Sequence, residues 1–307
     1  MILVCGEALM DVFAAGETRQ GVRLDARAGG SPFNVAVGLA RLGQPVAFFG
    51  GVSTDFLGDR LVALLAQEGV QTEHVLRLQA PTTLSLVGVD ANGVPSYVFH
   101  GHGGADRMLP RLAAHRELRD CQALHVGSYS TVVEPVASTL RRLIEREAAD
   151  RFVSYDPNVR PSVEPDLQRW RDTVEWMSGH ADLLKISEED FHTLYAGQAP
   201  DQVVQRWGRN GVSLVVMTCG AEGARAWTSR GQATVPAERC ELVDTVGAGD
   251  TFQAALLTWL AEHEVLEAGR TAALGEAALS EALRFASRAA AITCSRPGAD
   301  LPRRSEL

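Results

Sequence analysis

Lysine is almost missing from this chain. Among 307 residues there are 28 arginines and a single lysine, Lys185. A P-loop requires its own Gly-Lys pair, and none is present, so nucleotide cannot be held by that device. A protein-kinase glycine-rich loop with a downstream His-Arg-Asp is missing too. Positive charge is also short overall. The net charge of −9 argues against nucleic acid or an anionic membrane as partner. No apolar run reaches membrane-spanning length. The opening Met1-Ile2-Leu3-Val4-Cys5 lacks a charged n-region and reads as a strand, not a signal peptide. Cysteine is sparse: Cys5, Cys121, Cys219, Cys240 and Cys294 are odd in number and widely spaced. They read as buried thiols in a reducing cytosol, so the expected location is cytoplasmic. Repeats, long linkers and low-complexity tracts are absent. Hydrophobic residues make up 46%, ordinary for a soluble enzyme with a substantial core.

What is present centres on Val243-Asp244-Thr245-Val246-Gly247-Ala248-Gly249-Asp250-Thr251-Phe252, which runs into the apolar stretch ending at Leu260. Gly247, Ala248 and Gly249 carry little bulk, so backbone can press against a ligand. A helix beginning near Asp250 aims free N–H groups and its positive dipole end at that place, which suits a phosphate. A carboxylate there repels such a ligand unless it has another task, such as taking a proton from an attacking hydroxyl. The same residue type would also serve as a plain N-cap.

Along the chain, apolar runs alternate with helical stripes. Ile2-Leu3-Val4-Cys5 predicts a buried strand, and alternation over residues 9–13 places Asp11 just past a central strand's C-terminal end. Gly29-Gly30-Ser31-Pro32-Phe33-Asn34 feeds a helix with Pro32 in its first turn and Gly43 at its C-cap. Further strands are expected at 45–52, 123–127, 152–160, 182–187 and 214–218, with helices at 56–65 and 134–149. This β-α rhythm predicts a parallel sheet with right-handed crossovers. Residues 83–100 differ: two alternating runs flank Asn92-Gly93 and predict an antiparallel hairpin standing off the main sheet. His100 and His102 lack a third ligand and read as surface histidines. Glu188, Glu189 and Asp190 could organise a hydrated Mg²⁺ or simply favour a helix N-terminus.

Taken together, these stretches resemble the ribokinase-like sugar kinases, the phosphofructokinase B family, with bacterial fructokinases the nearest in look. Two signatures carry the resemblance: Gly29 to Gly43 is similar to the family's N-terminal motif, and Asp244 to Phe252 matches its C-terminal motif. The resemblance spans essentially the whole chain. It implies an α/β, three-layer sandwich with a mostly parallel central sheet flanked by helices, in one domain over residues 1–307, with a small β-sheet lid from segments near 11–28 and 83–103. It implies ATP-dependent phosphorylation of a sugar primary hydroxyl, fructose to fructose 6-phosphate being the leading case. A 2-keto-3-deoxygluconate, nucleoside or other sugar kinase, or a non-catalytic sugar binder, stays open. By carry-over Asp250 is the base, and Gly247, Ala248 and Gly249 form the anion hole. Asp11, Gly29, Gly30, Asn34 and Arg160 face the sugar, and Lys185, Thr218, Gly220, Gly223 and Ser287 face the nucleotide. Asp190 would position Mg²⁺ through water; the family's Asn-x-x-Glu appears here as Ser187 and Asp190. K⁺ activation would use Asp244 with the carbonyls of Val246, Thr293, Arg296 and Gly298. Pairing of exposed lids would make a homodimer.

Overall fold

A computed structural model describes residues 1–89, 95–115, 118 and 120–307. The Asn92-Gly93 turn therefore lies outside the described residues, although the strands on either side of it pair antiparallel.

The core is a nine-stranded sheet. Its parallel strands are β1 (Ile2–Cys5), β4 (Val46–Ser53), β5 (Val75–Leu78), β8 (Ala123–Gly127), β9 (Phe152–Asp156), β10 (Leu183–Ser187) and β11 (Leu214–Thr218). An antiparallel pair, β12 (Ala224–Thr228) and β13 (Gly231–Val235), extends one edge, giving the order β13-β12-β11-β10-β9-β8-β1-β4-β5. That terminal pair escapes sequence reading because Ala-Arg-Ala-Trp-Thr and Gly-Gln-Ala-Thr-Val are too weakly apolar to announce strands.

Why the sheet is covered on both faces follows from its alternation. In β1, Ile2 and Val4 enter one hydrophobic cluster while Leu3 and Cys5 enter the other. In β11, Leu214 and Val216 point one way, Val215 and Met217 the other. The first cluster is completed by α1 (Ser31–Arg41), α2 (Phe56–Gln67), α7 (Ala248–Glu262) and α8 (Glu276–Cys294). The second is completed by α3 (Val136–Glu147), α4 (Leu167–Met177), α5 (Glu188–Leu194) and α6 (Pro200–Asn210), where Trp170 and Trp207 are fully buried. The result is the expected three-layer α/β sandwich.

A second sheet has the order β3-β2-β6-β7, from β2 (Leu9–Thr18), β3 (Gly21–Gly29), β6 (Leu84–Val89) and β7 (Pro95–His100). Asp11 is thus not at the end of a central strand. It lies inside β2, opposite Arg27 of β3 and Ser85 of β6. A run with one solvated face fits a sheet lying over the body better than a buried central strand.

Two features of this frame position the site. Strand order reverses at β1, between β8 and β4, and open α/β sheets build their sites at such switch points. Helices α1 and α7 also approach unusually closely: a Cβ on Gly38 would lie 2.7 Å from that of Ala254. Only glycine allows this contact, which brings the first turns of the two helices together.

The expectation of buried cysteines holds for Cys5 and Cys121 only. Cys219 and Cys294 are half-buried, and Cys240 is exposed in the loop between β13 and α7, where no layer covers it. No helix among the described residues is long and apolar enough to cross a membrane.

Candidate active site

Helix α7 is preceded by Gly247, whose left-handed backbone (φ 77°) glycine adopts without strain. The cap is therefore Gly247. Asp250 is the third helical residue, and its carboxylate does not cap the helix. Its two oxygens are instead held by α1: Ser31 Oγ donates to Oδ1 at 2.6 Å and Asn34 Nδ2 to Oδ2 at 2.8 Å. Both donors leave lone pairs free on the carboxylate. Burial raises the Asp250 pKa; the Ser31 and Asn34 bonds oppose this, Asp156 adds to it and Lys185 opposes it. In the same turn the Ala248 N–H donates to the Thr245 carbonyl at 3.2 Å, whereas those of Gly247, Gly249 and Asp250 have no acceptor among the described residues. This is a small site of donors beside an oriented carboxylate.

Below that turn lies a buried ion pair. Lys185 Nζ, on β10, is 2.5 Å from Asp156 Oδ2 at the end of β9, and both side chains are at most 5% exposed. Lys185 is therefore engaged with a carboxylate, close under Gly249: a Cβ built there would be 3.8 Å from Nζ. From sequence, Asp156 is only part of the strand expected at 152–160, and neither it nor Ser31 is given a role. The first-turn serine beside Pro32 was the available signal for Ser31; for Asp156 it was a lone acid at a strand's C-terminal end.

Asp11 faces this centre from the small sheet. Burial pushes its pKa up to about 6, with Ser85 opposing, Asp250 adding and Arg160 opposing. Gly29 lies against it so tightly that any Cβ would collide with Asp11 Oδ2. Arg160 is half-buried, donates to the Val159 carbonyl, and acts on both Asp11 and Asp190. Asp190, in the first turn of α5, is raised to about 6 by burial and by Asp156, with Arg160 opposing. Asp11, Asn34, Arg160, Asp190 and Asp250 thus share one electrostatic neighbourhood.

The remaining expected residues fall into two groups. Thr218 ends β11, Gly220 opens the turn after it and Gly223 closes that turn; Ser287 is half-buried on α8, which packs on β12 and β13. In the second group, Asp244 accepts from Val246 N at 3.0 Å and Gly298 N at 2.7 Å, while Val243 and Asp244 donate to the Cys294 carbonyl. These bonds bring the loop carrying Val246 against the one carrying Arg296 and Gly298, just past Thr293 at the end of α8. His100 and His102 are exposed, and no group of three or more metal-ligating side chains occurs among the described residues.

An acid aimed past free helix N–H groups, with further polar residues facing it from an overlying sheet, defines a phosphoryl-transfer enzyme acting on a polyhydroxylated substrate. The chain belongs to the pfkB family of carbohydrate kinases, whose description matches residues 1–306. It is 38% identical over 279 residues to a fructokinase of Rhizobium leguminosarum bv. trifolii, covering 91% of this chain and 85% of that protein. Fructokinase-2 of Solanum lycopersicum is 32% identical, again over 91% of this chain and 85% of its own length. Among solved structures, a fructokinase from Xylella fastidiosa with bound ATP superposes with a TM-score of 0.88 at 28% identity, over 99% of this chain and 96% of that one. A double-mutant fructokinase from Vibrio cholerae O395 with fructose, ADP and potassium ion gives 0.82 at 28% identity, over 97% and 93%.

Proposed function

We propose that this protein transfers the γ-phosphoryl group of ATP to the primary hydroxyl of fructose, giving fructose 6-phosphate and ADP. The observation that carries the reading is the Asp250 carboxylate, held by Ser31 and Asn34 beside the free N–H groups of α7. Relatives that are fructokinases, one solved with fructose and ADP, supply the substrates.

In this reading Asp250 accepts the proton of the attacking hydroxyl while that oxygen bonds to phosphorus, and the leaving oxygen departs on ADP. Gly247, Ala248 and Gly249 present backbone N–H groups to the transferred phosphoryl, Ala248 giving up its bond to Thr245 to do so. Asp11, Gly29, Gly30 and Asn34 hold the sugar. Asn34 thereby touches both substrate and base. Arg160 meets charge developing between the two substrates. Lys185 acts from below through Asp156, steadying the first turn of α7, and Thr218, Gly220, Gly223 and Ser287 border the nucleotide. The small sheet closes over the sugar as a lid.

A sparse donor set fits Mg²⁺, which keeps most of its waters and binds through one or two carboxylates plus substrate phosphates. Asp190 would hold it through water, and when bound it supplies charge neutralisation along the phosphates. The paired loops at Asp244 fit K⁺, since the carbonyls of Val246, Arg296 and Gly298 lie on them and that of Thr293 in the last turn of α8 beside them. Activity is expected to vanish on chelation and return with Mg²⁺, and to rise when K⁺ replaces Na⁺; equal rates in the two salts would remove the K⁺ site.

A sugar acid would require a cation for its carboxylate. Residues 9–13, 29–34 and 97–104 hold no Arg or Lys. Arg107, just beyond, has its charge met by Asp106 at 3.9 Å, and Asp11 would repel a carboxylate. In a competition assay with ATP, fructose is therefore expected to show the higher kcat/KM against 2-keto-3-deoxygluconate. Preferential consumption of the sugar acid would overturn the fructokinase reading and make Arg160 a carboxylate clamp.

A further inference from the structure

Four chain crossings join the small sheet to the body: residues 6–8, 29–30, 79–83 and 101–107. Side chains from three of them meet in one buried cluster beside the turn that follows β8. Glu7 and Asp106 are each 1% exposed. Asp106 accepts the Tyr129 hydroxyl at 2.8 Å and, through a very short bond, that of Thr83; Arg107 Nε is 3.9 Å away. Glu7 is less well served. Its Oε2 has no hydrogen-bond partner among the described residues. It also supports the fourth crossing, because a Cβ on Gly30 would lie 2.9 Å from the Glu7 carbonyl and 3.3 Å from its Cγ. The phosphoryl-transfer scheme uses neither acid.

Arg107 answers Asp106 and not Glu7, and a carboxylate oxygen without a donor is costly to bury. Burial pushes Glu7 up to about 7; the Ser128 hydroxyl opposes this, Asp106 adds to it, and Ser130 opposes it. Burial raises Asp106 too, against its bonds from Thr83 and Tyr129 and the charge of Arg107. The titratable groups facing Glu7 are thus Asp106 from the last crossing and Tyr129 from the β8 turn, with Arg107 set against Asp106; the Gly29–Gly30 crossing presents backbone alone.

We propose that Glu7 is a positioning residue at the hinge of the small sheet, holding sheet and body together when neutral and loosening them, with the Gly29–Gly30 loop, when ionised. The consequence for turnover rests on the sugar-kinase reading; the hinge itself does not. Loosened, Glu7 ionises in the ordinary carboxylate range, so the assembled hinge loses stability as pH rises from there to about 7, and the loss levels off above that. The KM for fructose should then rise about tenfold for each pH unit by which closure raises the Glu7 pKa, with kcat and the KM for ATP unmoved. Asp11, pushed up to about 6, titrates within the same interval and is unchanged in Glu7→Gln, so the difference between the two proteins isolates Glu7.

The test follows fructose KM from pH 5 to 8.5 in wild type and Glu7→Gln, with amide hydrogen exchange of β2 and β3 on the same proteins, corrected for intrinsic rates. Relative to Glu7→Gln, wild type should gain KM and lose protection as pH rises to about 7 and level off above it. Asp106→Asn, which removes the facing charge, should move the wild-type limb to lower pH and keeps the test alive if Glu7→Gln folds poorly. Exchange that is flat with pH in wild type, or equally pH-dependent in Glu7→Gln, overturns the hinge whatever the sugar. Absence of fructose turnover with the exchange pattern intact overturns only the substrate reading.

Discussion

Asp250→Asn is expected to lower turnover by ~10²–10⁴-fold while leaving fructose affinity nearly unchanged. The amide keeps the shape of the carboxylate and a carbonyl oxygen for one of the two α1 donors, but it cannot take a proton. Two further readouts separate a chemical from a structural role. Burial raises the native pKa of Asp250, so its contribution to stability is full below the unfolded value and is lost as pH rises through the folded one. Replacing it should therefore not lower thermal stability at pH 8. In wild type, kcat should fall on acidification through a limb above the usual carboxylate range, because the base must be ionised to act. Near-normal turnover in Asp250→Asn would reduce the residue to a first-turn acid favoured by the helix dipole.

Lys185→Met should be the most destabilising single change near the site. It strands the Asp156 carboxylate, 5% exposed, without its cation. Breaking a buried pair from one side costs about 3–5 kcal/mol, since the remaining charge stays desolvated. It also leaves Asp156 unopposed beside Asp250 and Asp190, both of which already feel its charge. Combining the change with Asp156→Asn removes the stranded charge and should recover most of the loss. Urea unfolding of both single variants and the double variant measures the coupling. Simple additivity within about 0.5 kcal/mol would mean that the pair contributes nothing as a pair. The contrast with Asp250→Asn is informative: one variant should keep its fold and lose its chemistry, and the other should lose stability first.

The two glycine motifs and the strand-helix rhythm were legible because the physics behind them is local. A period of two or 3.6 residues is written in neighbouring positions, and so is a helix N-terminus with glycine before it and an acid in its first turn. From these came the parallel sheet and the importance of Asp250. They also left two meanings for that acid, base or cap. Tertiary structure removed the second, since the cap is Gly247 and the donors to Asp250 come from Ser31 and Asn34, 219 and 216 positions away. No spacing rule reaches that far; the approach depends on Gly38 letting α1 sink against α7. The same holds for the Lys185–Asp156 pair, 29 positions apart, and for the Glu7–Asp106 cluster, assembled from chain crossings that meet only once both sheets exist. The placement of Asp11 in the small sheet, the edge strands β12 and β13, and the exposure of Cys240 were likewise settled by what packs above each residue. Local sequence sets which way a side chain points, but the layer it then meets is fixed only when the chain closes on itself.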